Sequence, residues 1–243
     1  MRVYDMIVDE RRRAADLLAG LTVDQLRSPS LCAGWTMHDI AAHLVTFLRF
    51  GQAKLYLGIA ATGADLDRVN VTLTRWYAKR STDVLIDQLR RDALSRTTIP
   101  RSGYDPVLAD IVLHDLDIRR PLGIPRILSE ERLWVAYQHL AAKPSPGFAL
   151  GGRLRGLRLV ADDAGWDHGT GAAVRGNAEP LVLAMGGRIS ALDELTGDGV
   201  PVLRERLTSA TKMRPAQRLG KVLGVLVSPP PPDRRSRDAV GLG

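Results

Sequence analysis

Pro106-Val107-Leu108-Ala109-Asp110-Ile111-Val112-Leu113-His114-Asp115-Leu116-Asp117-Ile118 is the stretch on which the reading of this chain turns. Asp105-Pro106 ahead of it is a helix start, an N-cap carboxylate followed by a residue whose fixed φ suits the first turn. At about 100° per residue, Asp110, His114 and Asp117 share an arc of roughly 60°, and the rest of the circumference is apolar except for Asp115. A helix apolar nearly all round is a buried one. Carboxylates buried beside an imidazole are costly unless they are paired or hold a cation. The polar stripe therefore needs a partner on another helix.

His43 is the candidate partner. In Gly34-Trp35-Thr36-Met37-His38-Asp39, Thr36 with Asp39 three residues on is a capping pattern, and the helix it opens is expected to run toward Leu57. His43 lies on the apolar side of that helix with Ile40, Leu44 and Phe47. One imidazole from this helix and an Asp/His pair at i, i+4 from the other supply three ligands, the number typical of a catalytic zinc site with one open position. Simpler readings stay open beside this one. His43 is also explained as a hydrogen-bonded core residue, and Asp110 with His114 as a structural pair. Asp117 is either a salt-bridge partner of Arg119, Arg120 or another arginine, or the acceptor that orients a ligand imidazole. Asp39, one turn before His43, is placed to orient that ring, although capping already accounts for it. His38 lies about 140° around the helix from His43, and neither His139 nor His168 has an acid at ligand spacing. The single cysteine, Cys32, excludes an internal disulfide and a Cys-rich zinc module. It has no basic neighbour in sequence to make it a nucleophile.

With 243 residues, 45% hydrophobic and 25% charged, the chain is globular, large enough for two domains. Residues 1–143 read as a helical bundle. Its first helix is expected over Asp5 to Leu21, another follows Ser81 with Leu85, Ile86, Leu89 and Ala93, and a last one follows Ser129 with Glu130 and Glu131 in its first turn. Residues 144–152, rich in Pro and Gly, read as a linker, and 153–227 as a smaller α/β domain. There, Leu157–Ala161 and Ala172–Arg175 are expected to form a hairpin around Asp163-Ala164-Gly165. Glu179-Pro180 then opens an apolar helix that ends at Gly186-Gly187. The Pro/Arg tail, 228–243, cannot bury much and is expected to be disordered. From Arg204 to the end there are nine Lys/Arg and three Asp/Glu, so most of the formal charge of +7 sits in that segment and the remainder is close to neutral. That balance argues against a nucleic-acid partner. No apolar run approaches signal-peptide or membrane-spanning length, so a cytoplasmic protein without a membrane partner is expected. Oligomeric state is not legible.

Several stretches carry a resemblance. Cys32-Ala33-Gly34-Trp35-Thr36-Met37-His38-Asp39-Ile40-Ala41-Ala42-His43-Leu44 resembles the entry to the second helix of the mycothiol-dependent maleylpyruvate isomerase family, a branch of the DinB-like metal-binding four-helix bundles. Asp110 to Gly123 resembles the family's second metal motif. Asp162-Asp163-Ala164-Gly165-Trp166, Val174-Arg175-Gly176, Gly187-Arg188 and Leu195-Thr196-Gly197-Asp198-Gly199 are similar to its smaller C-terminal domain, related in shape to sterol carrier proteins. The resemblance implies a divalent metal, zinc above all, on His43, Asp110 and His114. Asp110 departs from the Glu of the best-known members and is one methylene shorter. It further implies mycothiol, an actinobacterial small-molecule thiol, as cosubstrate. A metal-activated thiolate would attack an electrophile such as maleylpyruvate, with no catalytic side chain beyond the metal site. Arg175 or Arg188 is then expected to hold substrate carboxylates and Trp166 to wall the cleft. A mycothiol S-transferase and a non-catalytic metal-binding or interaction module are the alternatives. The ligand pattern of a zinc-dependent anti-sigma factor is missing, because Cys32 stands alone.

Overall fold

Apolar residues at helical spacing and well-marked starts build the N-terminal part. The computed structural model describes residues 2–49, 66–98, 103–126, 128–142 and 153–212. Before the first strand these residues form α1 (Val3–Ala19), α2 (Val23–Arg27), α3 (Met37–Arg49), α4 (Leu66–Tyr77), α5 (Thr82–Arg91), α6 (Asp105–Arg119) and α7 (Glu130–Ala141). α1 begins and ends two residues before the expected bounds, because Gly20 takes the C-cap. α2 was not anticipated; five residues are too few to show a period, and it is held by a reciprocal Thr22–Gln25 capping box. α3 opens as the sequence suggests. The Asp39 carboxylate accepts from Thr36 N–H (2.9 Å) and Thr36 Oγ1 (2.8 Å), while Asp39 N–H donates to Thr36 Oγ1 (3.2 Å). In α6 the cap falls on Tyr104 and Asp105 becomes the first helical residue. The expected extension of α3 toward Leu57, the side chain of Phe47, the 144–152 linker, residues 213–227 and the 228–243 tail lie outside the described residues.

α1, α3, α5 and α6 form the four-helix core. α1 packs on α5 and α6, α3 packs on α5 and α6, α4 lies against α3 and α7 runs along α6. Met6, Ile7 and Leu18 of α1, Met37 and Ile40 of α3, Leu85 and Leu89 of α5, and Leu108, Leu113 and Ile118 of α6 are fully buried. Each such side chain contributes about 1.5–3 kcal/mol relative to leaving it in water. Asp115, the polar residue off the α6 stripe, has its own partners. It accepts from Arg119 Nε (3.0 Å) and pairs with Arg126 (2.9 Å), which in turn grips the buried Glu10 of α1 at 2.6 Å.

The C-terminal part is a three-stranded sheet of order β2-β1-β3, with β1 at Leu157–Ala161, β2 at Trp166–Gly169 and β3 at Ala172–Gly176. This corrects the expected hairpin. The strand that returns from the turn is β2, antiparallel to β1, whereas 172–176 lies on the other edge of β1 and parallel to it. Only Thr170 and Gly171 join β2 to β3, and the crossing passes so close to the start of β1 that a Cβ on Gly171 would sit 2.1 Å from the Gly156 carbonyl oxygen. After the sheet come α8 (Ala178–Met185), a 3-10 turn (Ile189–Glu194) and α9 (Gly199–Lys212). α8 packs on α7, β1 and β3 and touches α6. One apolar core runs through both parts, and Tyr137 Oη of α7 donates to the Leu159 carbonyl of β1 at 2.9 Å. A Cβ on Gly186, just past α8, would meet Leu113 of α6 at 2.7 Å, so the chain leaves α8 pressed against the helix that carries the polar stripe. No helix among the described residues is long and apolar enough to cross a membrane.

Candidate metal centre

α3 delivers His43 and α6 delivers Asp110 and His114 to one point, where one ligand atom from each lies within 4.8 Å of the others. His43 Nε2 is 3.2 Å from Asp110 Oδ2 and 3.4 Å from Oδ1, and His114 Nε2 is 3.5 Å from Oδ1. The opposite nitrogens are held from behind. His43 Nδ1 is 2.9 Å from Asn70 Oδ1 on α4, and His114 Nδ1 is 2.8 Å from Asp117 Oδ2. An amide oxygen and a carboxylate only accept, so each ring donates through Nδ1 and turns Nε2 toward Asp110. Two neutral imidazole lone pairs facing a carboxylate repel it; the arrangement calls for a cation among them, a proton or a divalent ion. The side chains of His43 and His114 are 2% and 7% exposed and that of Asp110 is 30% exposed, so solvent reaches the cluster at Asp110.

The electrostatics lean the same way. Burial would raise the Asp110 pKa, but His43 and His114 beside it hold it well below the ordinary carboxylate range. Burial would lower that of His114, yet the charge and hydrogen bond of Asp110, with Asp117 behind, push it up to about 9. Asp117 is wholly buried, and it stays ionised because Arg188 outweighs its desolvation. Arg188 Nε donates to Asp117 Oδ1 at 2.8 Å, its Nη2 donates to Oδ2 and its Nη1 to the Gly186 carbonyl. A guanidinium from the segment after α8 thus pins the carboxylate that orients a histidine of α6. Arg119 and Arg120, the sequence-adjacent candidates, are engaged elsewhere, Arg119 with Asp115 and Arg120 with Glu179 and Glu194.

The remaining candidates fall as follows. Asp39 spends its carboxylate on the Thr36 cap. His38 points away from the cluster, to Thr82 Oγ1 and the Ala78 carbonyl at 2.8 Å each. Arg175 pairs with Asp162 on the exposed face of the sheet (2.6 Å). Trp166 packs with Trp134 and Tyr137, at ring-centroid distances of 4.9 and 5.2 Å. Two residues at the cluster were not singled out from the sequence. Asn70 sits on a helix that was not expected, and nothing local distinguishes it. Trp35 stands in the quoted motif, and its ring lies 5.0 Å from that of His43 and 5.9 Å from that of His114. Two imidazoles and a carboxylate on facing helices, each ring fixed through its other nitrogen, match the donor set and orientation that zinc takes in proteins.

Comparison with known proteins adds the following. Residues 7–103 match the family model described as "Mycothiol maleylpyruvate isomerase N-terminal domain". That span includes His43 and ends ahead of α6. Two solved structures share the fold, the mycothiol-dependent maleylpyruvate isomerase and a histidine-to-alanine mutant of that isomerase. The TM-scores are 0.51 and 0.50, each with 16% identity over 82% of this chain and 95% of the other. Among curated proteins, none matches the sequence.

Proposed function

We propose, from the match of residues 7–103 to the model of mycothiol maleylpyruvate isomerase N-terminal domains, that the protein is a mycothiol-dependent metalloenzyme acting on a small electrophile. The observation that carries this reading is the convergence of His43 Nε2, His114 Nε2 and the Asp110 carboxylate within 4.8 Å of one another. Bound there, a zinc ion supplies positive charge that favours a thiolate over a thiol at neutral pH. The chain's own residues prepare the place. Asn70 and Asp117 fix both imidazole tautomers, Arg188 keeps Asp117 ionised, and the partly exposed Asp110 marks the side from which small molecules approach.

Isomerisation balances without any redox partner. The thiolate sulfur bonds to one carbon of the activated double bond, and the π electrons move onto the conjugated carbonyl oxygen. The resulting single bond rotates, and re-forming the double bond expels the thiolate unchanged. With maleylpyruvate the product is fumarylpyruvate; with an electrophile that carries a leaving group, the same attack is a thiol transfer. Both arginines are engaged in the structure, Arg188 with Asp117 and the Gly186 carbonyl and Arg175 with Asp162, and Arg188 bears on the centre through the carboxylate that holds His114. Trp166 is assigned to packing with Trp134 and Tyr137. The test is an activity screen of metal-loaded protein with mycothiol against maleylpyruvate and generic electrophiles. Thiol-dependent turnover of at least one substrate is expected. Silence across the panel by fully loaded protein would favour a binding module.

A further inference from the structure

We propose that Trp35 is a positioning residue of the metal centre, holding both ligand imidazoles in place and favouring their metal-loaded form. This rests on the metal reading above. The indole is nearly parallel to the His114 ring (17°) and tilted by 53° to the His43 ring, and the two imidazoles meet edge to face with centroids 4.6 Å apart. The three rings form one packed aromatic cluster. An indole face carries negative quadrupole density, and imidazoles that share the charge of a divalent ion are more positive than free ones. The contact is therefore stronger with metal bound than without it.

The loop before α3 is shaped to deliver this ring. Pro29 and Thr36 pair as an antiparallel bridge, and Ser30 donates to the Trp35 carbonyl through both its N–H and its Oγ, each at 2.9 Å. Trp35 N–H donates to the Cys32 carbonyl at 3.0 Å, closing a turn in which Gly34 takes φ +80°, a conformation that L side chains rarely adopt. Leu31 N–H donates to the Asp117 carbonyl at 3.2 Å, fastening the loop to α6 at the residue that orients His114. Both backbone groups of Trp35 are thus used to set its place, and its half-buried ring covers the two histidines.

The experiment compares the full chain with Trp35→Phe and Trp35→Leu. Zinc affinity is measured by chelator competition, and tryptophan fluorescence is followed during cobalt titration. Trp35→Leu is expected to weaken zinc binding by about tenfold, the scale of one cation–aromatic contact, and Trp35→Phe to restore most of it. Cobalt is expected to quench the native protein, with most of that quench absent in Trp35→Phe although Trp76, Trp134 and Trp166 remain. Unchanged zinc affinity in Trp35→Leu, or a cobalt quench that survives in Trp35→Phe, overturns the role of Trp35 while leaving the metal site standing. Absence of metal binding by the native chain overturns the site itself, and this inference with it. If Trp35→Leu fails to fold by circular dichroism, Trp35→Phe and its fluorescence decide the matter.

Discussion

Asp110 sits against two imidazoles whose Nδ1–H groups donate to Asn70 and Asp117, so the charge state of His114 decides whether the cluster attracts or repels. In the metal-free protein, the folded pKa of His114 is raised from 6.5 to about 9. Its contribution to stability is fully present below the unfolded value and is lost as pH rises through the folded one. Thermal scans of chelator-treated protein at constant ionic strength are therefore expected to show a midpoint that declines between about pH 6.5 and 9, whereas zinc-loaded protein holds its midpoint across that window. A flat profile for the metal-free form would contradict this assignment. The three residues of the cluster were legible because a helical period places Asp110 and His114 on one stripe and His43 on the apolar side of its own helix. Asn70 was not, since a single amide on an unanticipated helix carries no local signal.

Elements differ in how plainly the sequence announces them. Capping chemistry at Thr36 and Asp39 and the Asp105-Pro106 signal located the starts of α3 and α6 to within a residue. β2 escaped notice because only Trp166 of its four residues is buried, which leaves no alternation to read. The parallel placement of β3 depends instead on backbone clearance at Gly169 and Gly171, a property of tertiary approach. Gly171 has φ +120° with a backbone oxygen 2.1 Å from where its Cβ would be. Gly171→Ala is accordingly expected to lower stability by ~2 kcal/mol or more in urea titrations, while the metal stoichiometry of the folded fraction is unchanged. A variant as stable as the native protein would show that the crossing is looser than described.

Across the whole molecule, the C-terminal part does more than cover an apolar face, because Arg188 reaches across 71 residues of sequence to hold Asp117. A contact at that separation has no signature in periodicity or capping, so the sequence suggested Arg188 only as a substrate ligand. Arg188→Leu strands a buried carboxylate and is expected to cost ~3–5 kcal/mol of stability. Through Asp117 and His114 it also weakens zinc binding by roughly 10–100-fold. Pairing it with Asp117→Asn removes the stranded charge and recovers much of the stability. Zinc affinity unchanged in Arg188→Leu would break the proposed link between the two parts. The most direct test of the central claim is elemental analysis of the purified native chain beside His114→Ala. A divalent ion near one per chain in the native protein and a large loss in the variant is the predicted result, while equal metal content in the two would contradict it.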